Sequence, residues 1–220
     1  MTMTNVSRPC AAPAPECQHR GRAWLGALGL ALGLSLLSAP AWAQTWRVDL
    51  LVFRYLRPIS EQGTPPAPPE LSGAIDLTDT AALRLAGITL LPDEAFALHD
   101  HWKRLRQSAQ FRPLIRLAWT QQDPPPRNGP RLRLTAGETM TVSDAYGLGA
   151  REMHEIDGSV ALHLGRFLHL ETDMIYTTPE PPAQSWKLSS NRRMRSDELH
   201  HFDSPRLAAI VRVVRWDPQP

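Results

Sequence analysis

Clusters of proline divide this chain into segments and decide where regular structure can form. Residues 58–69 (PISEQGTPPAPP) hold five prolines, and further clusters lie at residues 123–130 and 177–183. Because proline lacks a backbone N–H and fixes φ, these stretches cannot hold a β-ladder or a helix. We therefore predict three loops, with strands and helices in the segments between them.

Six segments show the apolar–polar alternation that is typical of strands. The first becomes apolar on both faces toward its end, which predicts a central strand. In the fourth, Leu162 and Leu168 keep one parity across Gly165, which we interpret as a bend or bulge. The predicted strands are Trp46–Arg54, Leu114–Thr120, Arg131–Thr135, Gly158–Tyr176, Trp186–Met194 and Arg206–Trp216.

One long segment, Asp93–Ala109, has helical spacing, with Leu98, Trp102 and Leu105 on one stripe. A shorter helix, Thr78–Gly87, is predicted to be capped by its first residue. Because helices do not alternate with strands, a doubly wound parallel sheet is disfavoured. We predict an α+β fold with a mostly antiparallel sheet of about six strands. The helix Asp93–Ala109 packs on one face of that sheet, and long Pro-rich loops join the strands.

Residues 1–43 have the pattern of a secretory signal peptide. Arg20 and Arg22 precede Ala23–Leu37, an uncharged apolar run too short to span a bilayer. Ala41-Trp42-Ala43 then offers small residues at the positions that signal peptidase recognises. We predict cleavage before Gln44, a periplasmic protein without stable membrane insertion, and a single domain over residues 44–220.

The exported chain is formally neutral. The leader carries three arginines and one glutamate, and subtracting these from the 24 basic and 22 acidic residues of the whole chain leaves equal numbers of each. Nucleic-acid or anionic-membrane binding would need a basic surplus. Both cysteines, Cys10 and Cys17, also lie in the leader. The exported protein therefore has no disulfide, thiol nucleophile or cysteine-bound metal.

The sequence contains no nucleophile elbow, phosphate loop, dinucleotide fingerprint or zinc-protease motif, and Gly147-Leu148-Gly149 is too short to count as a Gly-rich loop. The remaining candidates for chemistry are His163, His169, His200 and Asp203. As metal ligands they would have to converge to about 2.0–2.2 Å from an ion. We predict no catalytic residue, metal or cofactor, and keep a metal-dependent envelope hydrolase using these four residues as an alternative.

The densest group of charged residues lies within Leu188–Trp216, where Arg192, Arg193 and Arg195 precede several acids and histidines. An extended backbone places Arg192 on the apolar side of the strand and the other two arginines on the opposite side. An arginine on the apolar side needs a carboxylate partner or a wet cleft. Two interpretations stay open. The arginines form an internal network with the acids that follow, or one or two guanidiniums bind carboxylates of a ligand.

This stretch, NRRMRSDELHHFDSP (Asn191–Pro205) followed by an apolar strand, resembles the closing segment of the CsiV family of periplasmic peptidoglycan-binding proteins. WRVDLLVFR (Trp46–Arg54), HWKRLRQSAQFRPLIRLAWTQ (His101–Gln121) and GRFLHLETDMIY (Gly165–Tyr176) are also similar to family segments, in the same order. The resemblance implies a non-catalytic exported factor that binds peptidoglycan and needs no cofactor. It also implies support of a wall-synthesising penicillin-binding protein through its lipoprotein activator.

Peptidoglycan offers sugar rings that stack on exposed aromatic side chains and stem-peptide carboxylates that pair with arginine. The candidate ligand-binding residues are Trp119, Tyr176, Trp186, Arg192, Arg193, Arg195, Glu198 and His200. A second alternative is a protein–protein adaptor of the cell envelope that does not bind the wall directly.

Overall fold

The computed structural model of the protein describes residues 44–57, 60–143, 150–180 and 182–217. The predicted leader, residues 1–43, and the segment Gly147-Leu148-Gly149 lie outside the described residues. Within the described ranges, no helix has the length and apolar character needed to cross a membrane.

The described elements are mostly strands, with two short helices. The strands are β1 (Thr45–Tyr55), β2 (Ala74–Ile75), β3 (Ile88–Leu90), β4 (Phe111–Gln122), β5 (Arg131–Ser143), β6 (Ala150–Leu164), β7 (Leu168–Thr177), β8 (Ser185–Met194), β9 (Leu199–Asp203) and β10 (Leu207–Arg215). The helices are α1 (Thr80–Leu85) and α2 (His99–Gln107). The strands form a first sheet of order β3-β4-β1-β10-β9 and a second of order β2-β5-β6-β7-β8. All neighbours pair antiparallel except β2 and β5.

The two sheets pack face to face around one hydrophobic core. Val48 and Leu50 of β1 meet residues such as Leu162 and Leu170 of the second sheet, and all four are completely buried. Because side chains alternate along a strand, the intervening residues point to the outer faces. The described residues therefore form an antiparallel β-sandwich with two outer faces.

Part of the outer face of the first sheet is apolar, and this part is covered. Leu51 and Phe53 of β1 form a second cluster with Trp102 of α2 packed against it. Asp49, which is 1% exposed, accepts a hydrogen bond of 2.8 Å from the N–H of Ala97. This buried carboxylate fixes the segment before α2 on the sheet.

The prediction of one helix over Asp93–Ala109 is wrong in its first third. A 3-10 turn, Asp93–Ala95, comes first, and α2 begins only at His99. The N–H of Ala97 bonds the Asp49 side chain instead of a helical carbonyl, which keeps the backbone between the two elements extended. The predicted stripe does lie against the first sheet, which confirms that the helix packs on a sheet face.

The shorter helix is confirmed with a different cap. The carboxylate of Asp79, not the side chain of Thr78, accepts the N–H of Ala82 at 2.9 Å. Gly87 follows with φ +68°, a left-handed conformation that suits glycine after a helix end.

The prediction of one strand over Gly158–Tyr176 is wrong. The segment contains the end of β6, a tight turn and β7, and Leu164 pairs directly with Leu168. In the turn, Gly165 donates its N–H to the carbonyl of Phe167 at 3.2 Å. The parity of the leucines is conserved across the turn because both strands face the same core.

The fold is richer in strand than the predicted α+β domain, since two five-stranded sheets replace one sheet of about six strands. The additional strands are the short β2, β3 and β9 and the second arm of the β6–β7 hairpin. The prediction that the first strand is central is confirmed, because β1 lies between β4 and β10.

Candidate binding groove

Arg192 lies on the inner side of β8, as the alternation predicts, but no carboxylate pairs with it among the described residues. Its guanidinium donates to the backbone carbonyl of His201, and its Cζ lies 5.3 Å from the centroid of the Phe202 ring. Arg192 therefore connects β8 of the second sheet to β9 of the first through a backbone carbonyl and an aromatic ring. Its side chain is exposed, which fits the wet cleft of the prediction and not the carboxylate partner.

Arg195 and Glu198 lie at the exposed turn between β8 and β9, and His200 follows near the start of β9. The Arg195 side chain is 75% exposed, with its Nη1 3.6 Å from Oε1 of Glu198. His200 accepts the backbone N–H of Arg195 through Nε2 at 3.0 Å. These contacts shape the turn and leave the Arg195 guanidinium open to solvent.

The other acids of this stretch are paired elsewhere. Asp197 accepts a hydrogen bond of 2.9 Å from Nε of Arg212, and Asp203 accepts one of 2.8 Å from the Tyr55 hydroxyl. Of the predicted internal arginine–carboxylate network, the described residues therefore retain the Arg195–Glu198 pair alone.

The three aromatic candidates are buried. Trp119 is 1% exposed, Tyr176 2% and Trp186 6%, and all three belong to the hydrophobic core. Tyr176 and Trp186 stack on each other with centroids 6.0 Å apart, and burial raises the pKa of Tyr176. In this structure none of the three rings can stack on a sugar.

The four residues of the hydrolase alternative lie on two different sheets. His163 and His169 are directly opposite each other on β6 and β7, whereas His200 and Asp203 lie on β9. No group of three or more histidine, cysteine, aspartate or glutamate side chains in the described ranges could hold a metal ion.

A groove of about 590 Å³ lies on the outer face of the second sheet, at the end where the β6–β7 turn projects. Three separate segments form it: the loop before β5, the β6–β7 hairpin and the middle of β8. Its lining residues are Pro126, Arg127, Asn128, His163, Gly165, Arg166, Phe167, His169, Glu171 and Asn191.

The proline loop before β5 forms one wall of this groove because it docks on β6. Leu164 donates its N–H to the carbonyl of Pro125 at 3.0 Å, and Gly129 donates its N–H to Nδ1 of His163 at 3.3 Å. A Cβ at Gly129 would lie 3.1 Å from that nitrogen, so the close approach favours glycine. The predicted loop is confirmed, and its docking brings Arg127 to the sheet.

The floor of the groove holds one ionised carboxylate, and the charge of a neighbouring arginine already balances it. Glu171 pairs with Arg131, and its Oε2 lies 3.3 Å from Nε2 of His163. Because Nδ1 of His163 accepts from Gly129, the ring proton is on Nε2 and is donated to Glu171. Burial acts to raise the pKa of Glu171, but the hydrogen bonds and charges of Arg131 and His163 outweigh it and lower that pKa.

Three guanidiniums border the groove without a carboxylate partner in the described part of the chain. Arg127 and Arg166 line it, and Arg193 stands at its rim, on the strand position paired with His169. The Cζ atoms of Arg193 and Arg166 lie 3.4 Å and 5.3 Å from the centroid of the Phe167 ring. Phe167, 37% exposed, is the only exposed aromatic side chain among the described residues.

Sequence reasoning identified Arg193 and missed the other two arginines. Arg127 belongs to a proline loop and Arg166 to a tight turn, and the sequence pattern shows neither the docking of the loop nor the reversal of the chain. The one available signal was the position of His163 and His169 on a single face, which marks the sheet surface that the groove occupies.

A buried carboxylate on β6 lies far from the groove. Glu155 is fully buried on β6, with its Oε1 3.0 Å from Nε of Arg54 and 3.8 Å from Nη1 of Arg112. Arg54 also donates to the Tyr176 hydroxyl at 3.1 Å. This cluster ties β6 to β1 and β4 across the sandwich.

The fold and the groove together define a two-sheet, mostly antiparallel β-sandwich with a groove bordered by guanidiniums that have no carboxylate partner in the described ranges. The chain belongs to the CsiV family, because the family model described as "Peptidoglycan-binding protein, CsiV" matches residues 25–216. The resemblance seen in the sequence is therefore confirmed. Membership supports peptidoglycan binding and a location in the cell envelope, and the family description is that of a binding protein, not an enzyme.

No curated protein matches the chain. Among solved structures, the cryo-EM structure of the type II secretion system secretin GspD of E. coli K12 is similar at 10% identity and a TM-score of 0.33. The match covers 87% of this chain and 54% of that chain, so this chain spans about half the length of the secretin. A likeness at this level carries no argument about fold or function.

Proposed function

We propose that the protein is a non-catalytic periplasmic factor that binds peptidoglycan through the groove on the outer face of the second sheet. The observation that carries this proposal is that three guanidiniums at one groove have no carboxylate partner among the described residues. Arg127 and Arg166 line the groove, and Arg193 contacts its lining residue Phe167. Family membership supports peptidoglycan as the ligand, and the groove is the proposed place where it binds.

The groove is suited to holding a polymer rather than to transforming it. It is open along the sheet, so an extended chain can lie in it without threading. Its one carboxylate, Glu171, is held by Arg131 and His163 and is not free to act as a base. Its guanidiniums remain protonated throughout the physiological pH range and bind carboxylates with two parallel hydrogen bonds.

The direct test is sedimentation with purified, protein-free sacculi. We expect the triple variant Arg127→Ala/Arg166→Ala/Arg193→Ala to lose about tenfold or more in affinity, since each lost charge-assisted hydrogen bond is worth ~1.5–3 kcal/mol. The matched control replaces exposed arginines away from the groove, Arg84 and Arg215. Equal sedimentation of the folded triple variant and the control would remove the groove as the site.

Arg195 remains a candidate ligand outside the groove, because its guanidinium is open to solvent. The single variants Arg193→Ala and Arg195→Ala separate the two locations. We expect the first to weaken sedimentation and the second to leave it unchanged. The reverse result would move the site to the β8–β9 turn and bring Glu198 and His200 into it.

We also propose that binding supports wall synthesis by assisting a penicillin-binding protein or its lipoprotein activator. This part rests on the family resemblance. In the described part of the chain, β9 and the part of β8 beyond its bridge to Thr64 each pair with one neighbouring strand, which leaves edges that a partner could contact. Co-sedimentation of the purified partner proteins, with and without sacculi, tests it, and no interaction in either condition would refute it.

The two alternatives give different results in the same assays. An adaptor without direct wall binding would stay in the supernatant with bare sacculi. A metal-dependent hydrolase using His163, His169, His200 and Asp203 would contain a stoichiometric metal and would change the muropeptide profile of sacculi after incubation.

A further inference from the structure

We propose that the groove recognises the carboxylates of the peptidoglycan stem peptide and not the sugars of the glycan strand. This inference deepens the proposed function and rests on it. It follows from which chemical groups the groove presents and which it lacks.

Among the described residues that line the groove, no aromatic side chain offers an unoccupied platform on which a sugar could stack. The aromatic rings Trp119, Tyr176 and Trp186 are buried in the core. The exposed ring, Phe167, has the guanidinium of Arg193 on its face, with Cζ 3.4 Å from the centroid, which is van der Waals contact. A sugar ring would have to displace this cation before it could stack there.

The contact between Arg193 and Phe167 also favours the binding of a carboxylate. A guanidinium that stacks on a ring uses its face and keeps its N–H donors in the plane, where a carboxylate can accept two of them. Phe167 therefore restricts the Arg193 side chain without consuming its hydrogen bonds. Arg166 approaches the same ring, and Arg127 reaches the groove from the docked proline loop.

The charge balance in the groove favours an anion. Glu171 would repel a carboxylate, but Arg131 neutralises it and His163 donates to it. The three remaining guanidiniums leave the groove with a net positive charge on a formally neutral exported chain. A ligand with more than one carboxylate fits this excess better than a glycan strand.

A consequence concerns cross-linking. When two stem peptides are joined by transpeptidation, the amide before the terminal residue of one stem is cleaved, and that residue leaves with its carboxylate. The acyl group then forms a new amide with an amine of the other stem, so a cross-linked peptide presents fewer anionic groups. We therefore expect uncross-linked stem peptides to bind the groove more tightly than cross-linked ones. The protein would then mark wall regions in which cross-linking is incomplete.

The experiment compares three probes with the purified protein: intact sacculi, glycan strands from which an amidase has removed the peptides, and free stem peptide as a competitor. We expect the free peptide to displace the protein from sacculi and the peptide-free glycan not to bind. A stem peptide with amidated carboxyl groups should compete about tenfold less well or worse. Arg193→Lys keeps the charge but loses the paired donors, so it should weaken peptide binding while the Arg84→Lys control does not.

The outcomes separate the two proposals. If peptide-free glycan binds as well as intact sacculi, or amidated peptide competes as well as free peptide, the inference is wrong while peptidoglycan binding stands. If intact sacculi leave the protein in the supernatant, the proposed function itself fails.

Discussion

Replacing Glu155 by glutamine measures what the buried ion pair contributes to the sandwich. The Glu155 side chain is 1% exposed and lies 3.0 Å from Nε of Arg54, whose side chain is 19% exposed. Neither carboxylate oxygen has a hydrogen-bond partner among the described residues, so the attraction comes from charge and not from an aligned hydrogen bond. Arg112 is a weaker partner, at 3.8 Å and 45% exposed.

These distances set the expected magnitude. At 3.0 Å and an effective dielectric constant of about 20, the Coulomb attraction is about 5–6 kcal/mol, which the desolvation of both charges largely offsets. Removing one partner of such a pair leaves the other charge buried and uncompensated, which costs about 3–5 kcal/mol. We expect Glu155→Gln to lose about 3 kcal/mol, because the amide keeps the shape and a partial dipole. Arg112→Gln should lose less than about 1 kcal/mol, since its pair is half exposed.

Urea unfolding gives the measurement, with the midpoint compared at constant m-value. The double replacement Arg54→Met/Glu155→Leu should be as stable as the parent or nearly so, because an apolar pair avoids both desolvation penalties. The reasoning is refuted if Glu155→Gln stays within about 1 kcal/mol of the parent, or if the double variant is as unstable as the single one. Sacculus binding should be retained, since Glu155 lies roughly 26 Å from His163 along β6 at about 3.3 Å per residue.

Three further perturbations test other parts of the structure. Burial and a hydrogen bond to an aspartate raise the pKa of Tyr55 to about 12, so the folded state keeps a proton that the unfolded state releases, and stability should fall as pH rises from about 10 to 12. In the variant Tyr55→Phe, unfolding measured at alkaline pH should no longer show this loss of stability. An unchanged dependence of stability on pH would contradict the prediction. The pKa of Glu171 is lowered, so its contribution is present above the unfolded value of about 4.3 and is lost as pH falls through the folded one. Arg131→Gln should raise that pKa in an NMR titration. A Cβ at Gly158 would lie 2.4 Å from a backbone oxygen of β7, whereas one at Gly165 has 3.6 Å of clearance. Gly158→Ala should therefore lose about 1–3 kcal/mol or more in thermal unfolding while Gly165→Ala loses little.

The long strands of the first sheet, β1, β4 and β10, could be predicted because burial leaves a periodic signal in them. In β1, Val48, Leu50 and Val52 face the core between the sheets, and Leu51 and Phe53 face the cluster under α2. The end of β1 is apolar on both faces because each face packs against a cluster. This pattern predicted that β1 is a central strand.

The β6–β7 hairpin could not be recognised by periodicity. Leu162, Leu164, Leu168 and Leu170 keep one parity through the reversal, so a continuous strand and a tight hairpin give the same pattern. Because the prediction missed the reversal of the chain, it contained one strand fewer, and it did not assign the segment to a separate second sheet.

The site was only partly predictable because its residues converge through docking, not through spacing. Arg193 was identified from the charge density of β8. Arg127 reaches the groove because the carbonyl of Pro125 accepts a hydrogen bond from β6, and that contact has no counterpart in sequence periodicity. The aromatic candidates were predicted because exposed rings can stack on sugars, but all three rings pack in the hydrophobic core.

The position of the groove follows from the different use of the two outer faces of the sandwich. The apolar part of the outer face of the first sheet would be costly to expose, and α2 covers it. The outer face of the second sheet is polar, and several of its charged side chains form ion pairs with one another. Arg133 pairs with Asp157 at 3.1 Å, and Lys187 pairs with Asp173 at 2.9 Å.

At the β6–β7 turn, by contrast, no carboxylate among the described residues pairs with Arg127, Arg166 or Arg193. The excess of guanidiniums over carboxylates persists there although other charges on the same face are paired. If the excess were an accident of surface composition, removing it would relieve repulsion and stabilise the fold without affecting binding. If it is a site, the triple groove variant should gain stability or hold it while losing affinity for sacculi, because a binding site retains repulsion that its ligand relieves. Measuring both quantities on the same variant therefore decides between the two explanations.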